Sequence, residues 1–190
     1  MKPQKTAAKT VKNKTKPAES EVAVTAGFSL EPVYTALRKR YPAAAQAEAV
    51  AFATDFYKRM ESDEFPHHSA EEWAALAAET LEFARARKAG KANVRVFNPT
   101  AKANGWESPH TVLQIVNDDM PFLVDSVAAT IAAHGLSIDR LLHPVVPVQR
   151  NESGELQNLP DGASANGEPR ESMIYIETPR TDARQRRELE

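Results

Sequence analysis

The sequence predicts an α+β protein, with a small N-terminal helical bundle followed by a ferredoxin-like sheet of βαββ(α) order that lacks its last strand. Three observations carry this prediction. The stretch 111–138 reads as a buried strand, an acidic turn, an amphipathic helix and the start of a second strand. Two strand-like runs, 137–150 and 172–178, follow it, and a cut-off helical pattern closes the chain. Three helical patterns with aromatic inner stripes precede it, between residues 29 and 90. At 190 residues the chain can bury one sizeable core, or one core plus a smaller helical piece.

Taken in order, residues 1–26 are a basic tail with six lysines from Lys2 to Lys16 and almost no large apolar residue. Such a segment cannot bury enough surface to offset its ordering entropy, so disorder is expected. It lacks the arginines and aromatics of a nucleic-acid-binding arm. Residues 27–90 form the helical region. Ser29 opens a first helix with Leu30, Val33, Leu37 and Tyr41 as its stripe, and Glu31 sits near the positive end. Pro42 breaks it and starts a second helix, reaching about Glu61, with Phe52, Phe56 and Met60 on one face. The clearest start signal is the S-x-x-E pair Ser69 and Glu72, which opens a third helix with Trp73, Leu76, Thr80 and Phe83 inside. Arg85, Arg87 and Lys88 are expected in its last turn before Gly90, where the helix dipole favours cations. Three helices with short connections suggest an antiparallel bundle.

Residues 91–109 are read as a weak strand, Asn93–Phe97, and a linker. The remaining residues, 110–190, make the sheet domain. Thr111–Val116 is rich in β-branched residues and is stopped by Asn117, Asp118 and Asp119. Asp119 is expected to cap the next helix, with Pro121 in its first turn. Leu123, Val127 and Ile131 share one helix face with Ala128 and Ala132 beside them, and Gly135 ends the helix as its C′ residue. Residues 137–150 form a long extended segment whose Pro144 and Pro147 place it on an edge or at a bulge. Asn151–Glu171 is polar, full of turn formers and expected to be mobile. In Ser172–Thr178, Met173 and Tyr175 alternate with Ile174 and Ile176. A right-handed crossover then makes the 111–116 and 172–178 strands neighbours, with the proline-bearing strand at an edge. The flank of the 111–116 strand is left either uncovered by a fragment or covered by Asn93–Phe97.

Composition narrows the function classes. The net charge of −2 does not argue for a nucleic-acid partner. With no cysteine there is no disulfide framework, thiolate metal site or cysteine nucleophile. The apolar runs fall short of the roughly 18 residues a membrane span needs. The basic N-terminus has no apolar h-region, so a cytoplasmic protein is expected.

The residues Asp119, Pro121, Leu123, Val127, Ile131, Gly135 and Ile138 resemble the D-x-P-x-L…G-x-x-I signature of ACT domains, amino-acid-sensing modules of ferredoxin-like fold. More closely, HTVLQIVNDDMPFLVDSVAATIAAHGLSIDRLLHPV followed by ESMIYIET is similar to the N-terminal region of the large NAD-specific glutamate dehydrogenases of bacteria. The similarity spans most of residues 30–190 and is most specific over Asn117–Pro144. It implies a truncated ACT-like domain within a longer chain, in an enzyme that oxidises L-glutamate with NAD and water to 2-oxoglutarate, ammonia and NADH. The partners it implies are the remaining domains of that chain, further copies in a homo-oligomer and an amino-acid effector. This segment would be regulatory and would carry neither catalytic nor cofactor-binding residues. No G-x-G-x-x-G occurs among its seven glycines, and no residue matches the family's catalytic lysine and aspartate. The alternative is a freestanding ACT-type amino-acid-sensing module.

By the same resemblance, a ligand would bind where the first strand meets the first helix, at Asn117, Asp118, Asp119, Met120, Pro121 and Phe122. Free N–H groups and the positive helix end attract a carboxylate there. Phe122 stands where the ACT pattern has a glycine, and two adjacent aspartates favour an ammonium group instead. The plainer reading is a structural turn with a capping aspartate. As a metal pair or acid–base pair, Asp118 and Asp119 fail because adjacent turn residues rarely converge on one point. His67, His68, His110, His134 and His143 have no zinc-ligand spacing, and Ser126 lies inside a helix without a nucleophile elbow. Among RNA-stacking positions only Tyr175 is aromatic, and it lies close to acidic Glu177.

Overall fold

The computed structural model describes residues 29–60, 65–160 and 167–190. The tail, 1–26, and residues 161–166 of the turn-rich segment lie outside the described residues, and with them the expectations of disorder and mobility placed there.

Helix α1, Glu31–Arg40, begins where the Ser29 hydroxyl accepts the Glu31 N–H at 3.2 Å. It stops at Tyr41, which is extended because it precedes Pro42. Helix α2 runs Ala43–Tyr57 and ends sooner than Glu61. Helix α3, Ala70–Ala84, carries the full capping box: Ser69 Oγ accepts the Glu72 N–H at 3.2 Å, and the Ser69 N–H donates to Glu72 Oε2 at 2.8 Å. Those hydrogen bonds hold the Glu72 carboxyl below its ordinary range. The helices meet through rings packed edge to face. Tyr57 and Trp73 lie 5.4 Å apart, with the Tyr57 hydroxyl donating to the Trp73 carbonyl and Trp73 Nε1 to the Phe65 carbonyl. Phe83, expected inside, is only partly buried.

The main sheet contains β1 (Asn93–Phe97), β2 (Thr111–Asp118), β3 (Arg140–Leu142), β4 (Val145–Pro147) and β7 (Arg170–Thr178). Its order is β1-β2-β7-β3, with β4 also on β7, and every pairing is antiparallel. The β2 and β7 strands are neighbours, and the flank of β2 is taken by β1, which settles the alternative left open by the pattern. The segment 137–150 is broken rather than continuous. Pro144 separates β3 from β4, and the last part, β5 (Gln149–Arg150), leaves to pair with β6 (Leu156–Asn158). Residues 151–160 therefore belong to a hairpin where an irregular loop was expected. The linker after β1 holds a one-turn helix, α4 (Ala101–Asn104), capped by the Thr100 hydroxyl.

Helices α5 (Leu123–Ala133) and α6 (Ala183–Leu189) lie on the side of the sheet away from the bundle. Strand alternation divides the side chains. Val112, Val116, Met173 and Tyr175 join the bundle core, whereas Leu113, Ile115, Ile174 and Ile176 meet Ile131 and Leu189. Of α5, only Ile131 is buried. Leu123 and Val127 are partly covered, and Ala132, expected beside the inner face, is exposed. Gly135, at φ 73°, ends α5 in a Schellman arrangement, with Gly135 N–H on the Ala132 carbonyl and Leu136 N–H on that of Ile131. Asp182 caps α6 by accepting the Arg184 and Gln185 N–H groups. Among the described residues no helix is long and apolar enough to cross a membrane.

Candidate functional site

The turn Asn117–Phe122 joins the end of β2 to α5 and stands at the surface, with Met120 50 % and Phe122 77 % exposed. The start of α5 corrects one expectation. The helix begins at Leu123 with Phe122 at its N-cap position, no side chain caps it, and Pro121 lies in the turn before it. Phe122 has φ 65°, the left-handed conformation that glycine adopts without cost and a ring-bearing residue does not. The backbone thus takes the shape of the ACT pattern's glycine while carrying a benzyl side chain into solvent.

The two adjacent aspartates point opposite ways, as successive residues at a strand end must. Asp118 turns toward the bundle and pairs with Arg87 Nη2. Arg87, expected in the last turn of α3, lies past the end of that helix, and its side chain is 3 % exposed. Its Nε donates to Glu171 Oε1 at 3.0 Å and its Nη1 to the Lys91 carbonyl at 2.8 Å. Glu171 is also clasped by Arg150 through both carboxylate oxygens, at 2.8 and 2.7 Å. Arg150 spends its remaining donors on the carbonyls of Ala84, Arg85 and Gly154. Gly154 permits this crossing: an added Cβ there would sit 2.2 Å from the Arg87 carbonyl oxygen. Two guanidinium groups facing two carboxylates, with nearly every donor satisfied, are the arrangement in which buried charge is tolerated. The network ties the end of α3, the tip of β2, the β5–β6 hairpin and the start of β7 together.

Asp119 turns the other way and accepts the Ser172 hydroxyl at 2.9 Å, while its N–H donates to the Arg170 carbonyl. Ser172 is fully buried, and its Oγ lies 3.0 Å from His143 Nε2. With its proton given to Asp119, the serine oxygen receives the His143 N–H, so the trio is a tether and not a nucleophile activated by a base. Burial holds the His143 imidazole below its ordinary pKa, against the pull of Asp119. Asn117 Nδ2 contacts Met120 Sδ at 3.8 Å.

A second polar cluster lies on the bundle side, at the other end of the sheet. Glu177 accepts the Tyr175 hydroxyl at 2.7 Å and Arg140 Nη1 at 3.2 Å, and His110 lies within 3.8 Å of Glu177 and 3.5 Å of Asp139. Tyr175 itself is wholly buried against Phe56 and Trp106. Among the described residues no group of three or more His, Asp or Glu side chains is arranged to hold a metal ion.

The structure thus keeps Asn117–Phe122 as one contiguous turn but divides its aspartates between two tethers. Sequence reasoning missed Arg87, Arg150, Glu171, Ser172 and His143. Glu171, a carboxylate just before the apolar run of β7, was the only local signal, and its partners lie 21 and 84 positions away.

The glutamate dehydrogenase ACT1 domain family matches residues 52–190. The chain is 31 % identical over 147 residues to the NAD-specific glutamate dehydrogenase of Pseudomonas aeruginosa, covering 77 % of this chain and 9 % of that protein. Over 135 residues it is 30 % identical to the NAD-specific glutamate dehydrogenase of Halomonas elongata, covering 70 % of this chain and 8 % of the relative. It therefore spans less than a tenth of the length of these relatives. No solved structure matches it. With the match reaching from α2 through the sheet to α6, the chain belongs to the glutamate dehydrogenase ACT1 domain family.

Proposed function

We propose that this chain is the non-catalytic regulatory and assembly region of an NAD-specific glutamate dehydrogenase. In that reading the full enzyme oxidises L-glutamate with NAD to 2-oxoglutarate and ammonia, with the chemistry and the NAD held by domains outside this segment. The turn Asn117–Phe122 receives an amino-acid effector or a neighbouring surface, and the bundle relays the event. One observation carries the reading: Asp118, near the start of the exposed turn, is an arm of the buried network around Glu171 that reaches the last turn of α3. A ligand that draws Asp118 away leaves Arg87 short of a partner in a desolvated place, so binding at the turn is felt in the bundle. Asp119 offers its carboxylate to an ammonium group, and the uncapped start of α5 offers N–H groups to a carboxylate.

Calorimetric titration with a panel of amino acids, together with a measurement of molecular mass, tests this. Binding of at least one amino acid, weakened by Asp118→Asn, is expected. A monomer that binds none of them would overturn both the regulatory and the assembly roles.

A further inference from the structure

The sheet has two edges, and they are finished differently. On one, β3 and β4 are short, Pro144 interrupts them and Pro147 lies within β4. Proline withholds the donor that a new strand would need, which blunts that edge. On the other, β1 reads Asn-Val-Arg-Val-Phe without a proline or lysine, and among the described residues its backbone pairs with β2 alone. We propose that the outer edge of β1 pairs with the β1 of a second copy of this chain, antiparallel about a two-fold axis centred on Arg95. The inference rests on the assembly role argued above and names its partner and surface.

Several features favour a second copy over an unrelated strand. An isologous contact uses up the open β1 edge of the main sheet in each chain, giving a closed dimer with prolines at both outer margins of that sheet and not an open-ended fibre. Centring on Arg95 sets Val94 opposite Val96 of the second copy and Asn93 opposite Phe97. The two valines then extend across the axis the aliphatic layer formed by Leu113, Ile115 and Ile131. That layer borders a groove of about 220 Å³ between α5 and the end of α6, in whose lining Val94 already takes part. Like charges opposed across a strand pair are destabilising. Here the Arg95 guanidinium is drawn back over its own sheet, 4.7 Å from the Phe83 ring and 4.3 Å from that of Phe97, bonded to Gln114 and 3.4 Å from Glu79.

Sedimentation of the 190-residue chain over a range of concentrations, with Val94→Lys beside it, is the first test. A dimer is expected, with dissociation raised roughly a hundredfold by a lysine on the paired edge. The chain has no cysteine, so engineered thiols report contacts without background and cover the case in which Val94→Lys fails to fold. Oxidising a mixture of Asn93→Cys and Phe97→Cys should give a mixed disulfide in clear excess over that from either variant alone. A dimer that survives Val94→Lys, or whose mixture gives no such excess, would end the edge assignment while leaving assembly in place. A parent chain that is monomeric at every concentration would remove the assembly reading itself.

Discussion

The two faces of the sheet are built to different standards. The bundle face is covered by an aromatic core of Phe52, Phe56, Tyr57, Trp73 and Trp106 that takes in Tyr175 from the central strand, and among the described residues Arg95 Nε is its one buried side-chain polar atom without a hydrogen bond. The opposite face is a thin aliphatic layer in which α5 buries Ile131 alone and leaves a groove beside α6. Large rings contribute more buried area per residue than Val or Ile, so one face carries the stability. The other is free to leave the turn Asn117–Phe122 exposed. A region of low burial is also the region that moves most easily.

The largest break in this contrast comes from the strong face. Trp73→Ala removes a wholly buried ring and the hydrogen bond to Phe65, and should cost about 4 kcal/mol in denaturant unfolding. Glu171→Gln leaves Arg87 and Arg150 short of a buried counter-charge, with an expected loss of about 3 kcal/mol by the same measurement. On the thin face, Ile131→Ala should cost about 2 kcal/mol, because the open groove lets the site collapse. A loss equal to that of Trp73→Ala would erase the contrast. Phe122→Gly reverses the sign: relieving a left-handed residue whose ring is mostly in solvent should stabilise by about 1 kcal/mol.

The smallest effect expected is with pH. Burial holds His68 and His143 below the ordinary histidine value of 6.5, against the pull of Glu72 on the first and of Asp119 on the second. The unfolded chain then binds protons more readily, so their contribution is complete above about pH 6.5 and is lost as pH falls through the folded values. Thermal melts between pH 8 and pH 5 should show this decline, and it should flatten in His68→Gln and His143→Gln. A melting temperature that rises on acidification would contradict the sign.

The legible parts of the fold are those written in short-range spacing. The Ser69–Glu72 box lies four residues from end to end, the Gly135 stop follows its helix directly, and the alternation in β7 is a period of two. Such signals need no distant partner. The misreadings have one cause in common. Asp119 was assigned to the nearest helix because capping is a local possibility, but Ser172, on the neighbouring strand, claims it. Arg87 matched the dipole of the nearest helix end, but a carboxylate on β7 draws it inside. Leu156–Asn158 had too short a run to announce a strand, and it forms because Gln149 and Arg150 lie alongside.

By itself the sequence determined the mixed helix-and-strand class, the order of the principal elements, the exposed turn as a unit and the family. Those depend on periodicity and on runs of neighbouring residues, which survive in a linear chain. Only the tertiary structure decided which strand flanks β2, where each aspartate of the turn sends its charge, and how a buried guanidinium comes to join turn to bundle. Charged and polar side chains choose partners by the desolvation they would suffer without them, and that cost exists only once the chain has closed around them.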